Sequence, residues 1–223
     1  MAEPIKVNYQ KAFEQTVASF ASGDKPKLLL HVCCGPCACF PLTLLAPLFD
    51  VTIYYANSNI YPAEEYAHRL ATLRELLDDL KRDFGYDIGL IVPPYENEAY
   101  TQKLEPWKDV PEGGARCFLC YELRMDEGYA YAASHGYDYF TTVMTVSRQK
   151  NSQKLNQIGA ALEKKYPGCR YLYSDFKKND GQLKGTQIRK GYGLYNQDYC
   201  GCVYSYQDAL KRREQARKNT EQE

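Results

Sequence analysis

The chain has 223 residues, and its 28 Lys and Arg balance its 28 Asp and Glu, so the formal net charge is zero. This balance excludes the overall basic charge of many nucleic-acid-binding proteins, and the length fits one domain, 1–223, that buries a core without disulfides. The N-terminal segment 1–11 lacks the apolar run of a secretory signal, and the longest apolar stretch, 28–34, is far shorter than the ~20 residues that cross a bilayer. We therefore expect a cytoplasmic protein with no membrane partner.

In chain order, helical and strand-like segments alternate. Residues 9–22 are predicted to be helical, followed by strands at 27–32 and 51–56, a helix at 64–84 and a strand at 88–92. Segment 96–116, rich in Pro and Gly, is predicted to be a long irregular loop, and loops of this length tend to be functional. A helix at 119–134, a strand at 139–144, a helix at 152–165, a strand at 171–173 and a basic C-terminal helix at 205–218 complete the chain. This order predicts an α/β fold with a mainly parallel sheet covered on both faces.

The cysteines carry the clearest chemical signal. Seven of the nine fall into three tight groups, and only Cys39 and Cys169 lie outside them. The groups are Cys33-Cys34-Gly35-Pro36-Cys37, Cys117-Phe118-Leu119-Cys120 and Cys200-Gly201-Cys202. Cytosolic thiols are kept reduced, and an odd number of cysteines cannot all pair. We therefore expect metal binding or redox chemistry rather than structural disulfides.

Several ligand sets are compatible with these groups. The pair Cys117 and Cys120 opens a helix, where the free N–H groups stabilise thiolates. Two thiolates from that pair and two from Cys33 and Cys34 make the four that a [4Fe–4S] cluster needs, and a zinc ion on the same four is the alternative. The Cys200-Gly201-Cys202 segment allows either a strained, labile disulfide or, together with Cys37, a second metal site.

Polar residues follow the predicted strands and meet at one edge of a parallel sheet, where such folds bind ligands. The topology places five candidates for contact with a sugar and phosphate at this edge: Asn57, Asn59, Arg116, Lys177 and Lys178. Asp175 is the candidate proton donor. His31 is predicted to be a core histidine with satisfied hydrogen bonds, whereas His68 and His135 are expected at the surface. No nucleotide-binding glycine motif occurs.

Six sequence blocks, in order from about residue 28 to 205, resemble the epoxyqueuosine reductases of the QueH type. These blocks are LLLHVCCGPC, NSNIYPAEEYAHR, EGGARCFLCYELRM, FTTVMTVSRQKN, SDFKKNDG and YGLYNQDYCGCVYS. The resemblance implies a HUP-like three-layer α/β sandwich, related to the adenine-nucleotide alpha hydrolases and PP-loop enzymes. It also implies reduction of epoxyqueuosine in the anticodon loop of tRNA to queuosine, the last step of that pathway, with tRNA and an external electron donor as partners.

The resemblance further implies a cofactor and its ligands. A [4Fe–4S] cluster is expected on Cys33, Cys34, Cys117 and Cys120, with an additional mononuclear iron beside it. Cys200 and Cys202 match the redox-active pair of the family. Some members carry Asp where this chain has Cys37, which leaves open whether Cys37 is a ligand of the extra iron. One alternative functional hypothesis is a zinc-binding protein of PP-loop-like fold that interacts with tRNA or transfers sulfur. The other is a cytosolic thiol–disulfide enzyme that uses Cys200 and Cys202.

Overall fold

The computed structural model describes residues 6–220 and has a five-stranded sheet at its centre. The strands are β1 (Lys27–His31), β2 (Asp50–Tyr54), β3 (Gly89–Ile91), β4 (Tyr139–Thr142) and β5 (Arg170–Tyr171). Their order is β3-β2-β1-β4-β5, and every neighbouring pair is parallel. The predicted parallel α/β sheet is therefore confirmed, and each strand lies within about two residues of its predicted position.

Eight α-helices accompany the sheet within the described residues. They are α1 (Tyr9–Ala18), α2 (Gly35–Leu45), α3 (Ala63–Phe84), α4 (Asn97–Leu104), α5 (Ala115–Ser134), α6 (Ser152–Lys165), α7 (Gly181–Gly191) and α8 (Val203–Thr220). None of the helices between residues 6 and 220 combines the length and apolar character needed to cross a membrane.

The sheet is buried on both faces, which gives the three layers of the predicted sandwich. Leu28 and Leu30 of β1 point into a core shared with α1, α2 and α3, whereas Leu29 points into a second core against α5 and α6. All three leucines are fully buried. A third, smaller cluster joins α4 and α8 to α5. Since period-two alternation places successive side chains on opposite faces, an all-apolar strand belongs between two helical layers.

The prediction of an irregular loop at 96–116 is wrong for the first half of this segment. Residues Asn97–Leu104 form α4, and Glu105–Trp107 form a short 3₁₀ helix. Tyr100 and Leu104 are buried beside Cys120, and this packing stabilises a helix that the composition of the segment does not indicate. The segment 108–114, with Pro111 and Gly113, is irregular as expected. The basic terminal helix is confirmed and extends from Val203 to Thr220.

Candidate active site and metal centre

The first cysteine group lies where β1 passes into α2. Cys34 precedes the first residue of α2, and Pro36 occupies the first turn, where its missing N–H costs nothing. The Sγ atoms of Cys33, Cys34 and Cys37 all lie within 4.8 Å of one another, an arrangement that could hold a metal ion. Hydrogen bonds from Cys34 and Cys37 hold the pKa of Cys33 well below its ordinary value. The two neighbouring thiols would therefore stabilise a thiolate at Cys33.

The second group combines the other two cysteine motifs. Cys117 and Cys120 lie in the first two turns of α5, and they line the same small cavity, of about 20 Å³, as Cys200 and Cys202. Burial raises the pKa of Cys117, and it raises that of Cys120 to about 11. All four side chains are free thiols. A metal ion that bound here would displace their protons, as thiolate ligation requires.

Arg69 of α3 fixes the segment that carries Cys200 and Cys202. Its guanidinium is 1% exposed and donates to the carbonyl oxygens of Tyr199 at 3.1 Å and Cys200 at 3.0 Å. Its Nε also pairs with Glu65 at 2.7 Å. Gly201 has φ +136°, and a Cβ at that residue would lie 3.1 Å from Arg69 Nη1, so both the backbone conformation and the close approach favour glycine.

Arg124 connects the two cysteine groups. It lies one turn after Cys120 on α5, is 2% exposed, and donates through Nη2 to Asn57 Oδ1 at 2.6 Å. The Asn57 amide in turn donates to the carbonyl oxygen of Val32 at 2.8 Å, immediately before Cys33. The Nε of Arg124 is buried without a partner among the described residues. Asn57, predicted to contact substrate, thus has both ends of its amide engaged in the interior.

Two cations face the thiols without a carboxylate partner. Burial lowers the pKa of Arg124, but its proximity to the ionisable sulfurs of Cys120, Cys33 and Cys200 raises that pKa above its ordinary value. Burial also lowers the pKa of Lys150, and its proximity to the sulfurs of Cys200, Cys33 and Cys37 more than offsets that effect. Within residues 6–220 neither cation forms a salt bridge. A buried cation requires a nearby negative charge, and here thiolate sulfur is the group that can supply it.

The remaining predicted site residues lie in different places. Asn59 and Arg116 line the small thiol cavity, and Arg116 also donates to the carbonyl of Lys108 at 2.6 Å. Asp175 is 6% exposed and accepts a hydrogen bond from Ser152 Oγ at 3.1 Å. Within residues 6–220 it forms no hydrogen bond with a cysteine. Lys177 donates to the carbonyls of Ser147 and Lys150, whereas Lys178 is exposed. The proton-donor role of Asp175 stays a prediction.

The histidine predictions are confirmed. His31 is fully buried, with Nδ1 2.8 Å from Thr142 Oγ1 and Nε2 3.3 Å from the Ala56 carbonyl oxygen. His68 and His135 are exposed. Sequence reasoning missed Arg69, Arg124 and Lys150, although all three lie inside the sequence blocks of the resemblance. The spacing of Cys117, Cys120 and Arg124 on one face of α5 is the signal that could have identified Arg124.

Comparison with known proteins identifies the family of this chain. The family model described as epoxyqueuosine reductase QueH matches residues 28–208. A Staphylococcus aureus protein named epoxyqueuosine reductase QueH is 37% identical over 214 residues, which cover 92% of this chain and 89% of that protein. Proteins of the same name from Streptococcus pyogenes and Thermotoga maritima are 35% and 31% identical, over 90% and 84% of this chain and 78% and 92% of their own lengths. These names do not favour the alternative of a zinc-binding or sulfur-transfer protein. The chain belongs to the QueH family of epoxyqueuosine reductases.

Proposed function

We propose that this chain reduces epoxyqueuosine in tRNA to queuosine. The epoxide oxygen leaves as water and an alkene remains, so each turnover consumes two electrons and two protons. The observation that carries the proposal is that thiols from three separate segments lie near the cations Arg124 and Lys150, with Cys33, Cys120 and Cys200 near Arg124 and Cys33, Cys37 and Cys200 near Lys150. Family membership identifies the substrate, and an external reductant supplies the electrons.

The proposed cofactor is a [4Fe–4S] cluster held by Cys33, Cys34, Cys117 and Cys120. Soft thiolates are the ligands that such clusters take, and these two pairs lie at the N-termini of α2 and α5. A cysteine-ligated cluster is anionic, and Arg124, whose Nε has no partner within residues 6–220, would balance that charge. When bound, the cluster supplies electrons one at a time, and an iron ion beside it would polarise the epoxide oxygen.

The chain itself contributes a two-electron store. Oxidation of the Cys200 and Cys202 thiols to one disulfide releases two electrons and two protons, the amount that one turnover consumes. A disulfide across a single glycine is strained and hence readily reduced by an external donor. Arg69 holds the backbone of this segment in place, so the two sulfurs stay at the cavity shared with Cys117 and Cys120. In the alternative role, Cys200 and Cys202 bind the second iron together with Cys37.

Metal content of purified variants tests the ligand assignment. The wild-type protein, purified without oxygen, is expected to be brown and to contain iron and acid-labile sulfide. Cys117→Ala should sharply lower both, because the lost thiolate exposes iron to solvent. Cys169→Ala is the control, since Cys169 is a buried cysteine that lies directly before β5 and outside all three motifs. Wild-type iron and sulfide in the Cys117→Ala protein would refute the assignment.

A further inference from the structure

A cleft of about 470 Å³ opens beside the first cysteine group. Its walls are the start of α2, the segment 146–149 after β4, and helix α7. Cys37 and Gln197 lie where the cleft meets the thiols, and Gln197 Nε2 donates to Cys34 Sγ at 2.9 Å. The other end of that amide, Gln197 Oε1, is buried without a partner among the described residues. A side chain that lines the cleft therefore carries an unused hydrogen-bond acceptor near the thiols.

The charge of this cleft distinguishes it from others on the protein. Its lining includes Arg148 and Arg189 but no Asp or Glu. Arg148 Nε donates to the side chain of Gln182, which is itself held by a 2.9 Å bond to the carbonyl of Val146. Neither arginine forms a salt bridge in the part of the chain that the structure describes. Two unpaired guanidinium groups at an acid-free opening are suited to phosphate.

Two other clefts have the opposite character. One, beside the start of α4, is lined by Glu96 and Glu98, and a second is lined by Glu96 and Glu127. Carboxylates at these clefts would repel a nucleic-acid backbone. Neither cleft contains a cysteine. The cleft with Arg148 and Arg189 thus combines access to the thiols with a positive lining.

We propose that this cleft binds the substrate nucleotide of the anticodon loop. Arg148 and Arg189 contact its flanking phosphates, and Gln197 Oε1 accepts a hydrogen bond from the modified nucleoside beside Cys34 and Cys37. This inference rests on the proposed function and adds where the tRNA strand lies. It also assigns phosphate recognition to Arg148 and Arg189, which are not among the candidates predicted from the strand ends. Phe40, which lines the same cleft, gives it an aromatic wall of the kind on which bases stack.

The test is a binding measurement on the iron-loaded, anaerobically purified protein. Arg148→Gln and Arg189→Gln are each titrated with an anticodon stem-loop that carries epoxyqueuosine, at several salt concentrations. Each change should weaken the Kd about tenfold, the value of one charge-assisted bond. Each should also make the slope of log K against log salt shallower by about 0.7, the effect of one lost contact to a single strand. Iron content and melting temperature should stay at wild-type values.

Lys190→Gln is the matched control, because Lys190 is the exposed neighbour of Arg189 on α7 and does not line the cleft. Free epoxyqueuosine nucleoside is the second probe, and its affinity should be the same in all variants since it has no phosphate. The proposal is overturned if the stem-loop Kd does not change in the arginine variants, or if Lys190→Gln weakens it equally. A wild-type protein that binds the stem-loop through these arginines but does not reduce it would refute the proposed function and still support the cleft assignment.

Discussion

Individual buried side chains determine how the candidate site is held together. Arg69 ties α3 to the backbone on either side of Cys200, and Arg124 ties α5 through Asn57 to the residue before Cys33. Each guanidinium offers five donors in a fixed plane, so one side chain orients two segments at once. Arg124 and Asn57 thus connect the first two cysteine motifs, which are far apart in sequence, and Arg69 anchors the third motif to α3.

The role of Cys202 can be tested by a single substitution. We expect Cys202→Ser to keep the brown colour and wild-type iron content but to lose turnover, because without the second thiol Cys200 cannot form the disulfide whose formation releases two electrons. Loss of about one iron atom per chain would instead favour the role of Cys202 as an iron ligand, because one set of ligands holds one ion. Measuring iron content, melting temperature and turnover on this variant separates the two roles. Full turnover with unchanged iron would remove Cys202 from the mechanism.

At the scale of elements, short apolar and β-branched runs predicted the five strands well, and apolar residues at helical spacing predicted α3 and α6. Besides α4, the helices α2 and α7 were missed for a physical reason. α2 contains Gly35, Pro36 and Pro41, and α7 contains Gly181, Gly185 and Gly191, residues of low helix propensity. These two helices pack on each other, with Gly181 and Gly185 against Phe40. Their stability comes from this tertiary contact, which local sequence patterns do not contain.

The packing of α6 on β5 depends on Gly159. A Cβ at this residue would overlap the ring of Tyr171, which is 3% exposed. Gly159→Ala should therefore lower the free energy of unfolding by about 1–3 kcal/mol, the usual cost of overpacking a core. Thermal melting should detect this as a drop of roughly 2–4 °C per kcal/mol for a domain of this size.

Gly191→Ala is the control for that substitution, because nothing lies within 4 Å of its Cβ position and its φ is not positive. Replacing this helical glycine should leave the protein unchanged or stabilise it by up to ~1 kcal/mol. Equal melting temperatures for Gly159→Ala and the wild type would contradict the packing described here.

The candidate site itself was predictable only in part. Parallel strands place their C-terminal ends at one edge, and this rule predicted that the cysteines after β1 and the polar residues after β2 and β4 would meet. It did not predict which polar side chains form hydrogen bonds within the protein and are therefore not free to contact substrate. Asn57 bonds to Arg124 and Val32, whereas Lys150, Arg148 and Gln197 lie beside the thiols or the cleft. Side-chain direction at an edge depends on packing from helices far along the chain.

At the scale of the whole molecule, the sheet brings two cysteine groups, the cations Arg124 and Lys150, and an arginine-lined cleft to one region. The zero net charge of the chain conceals this local distribution. A protein of balanced charge can bind tRNA when a few cations are placed where the backbone passes. The thiols at the floor of the cleft would then act on one nucleotide of the bound strand.

The most direct test of this account is mass analysis of tRNA nucleosides after reaction with the purified protein. tRNA that contains epoxyqueuosine is incubated without oxygen with the iron-loaded protein and a one-electron chemical reductant, then digested to nucleosides. The account predicts that epoxyqueuosine disappears and queuosine, lighter by one oxygen atom, appears in equal amount, and that the Cys117→Ala protein leaves the substrate intact. Epoxyqueuosine that persists with the iron-loaded wild-type protein, or conversion at the wild-type rate by the Cys117→Ala protein, would contradict it.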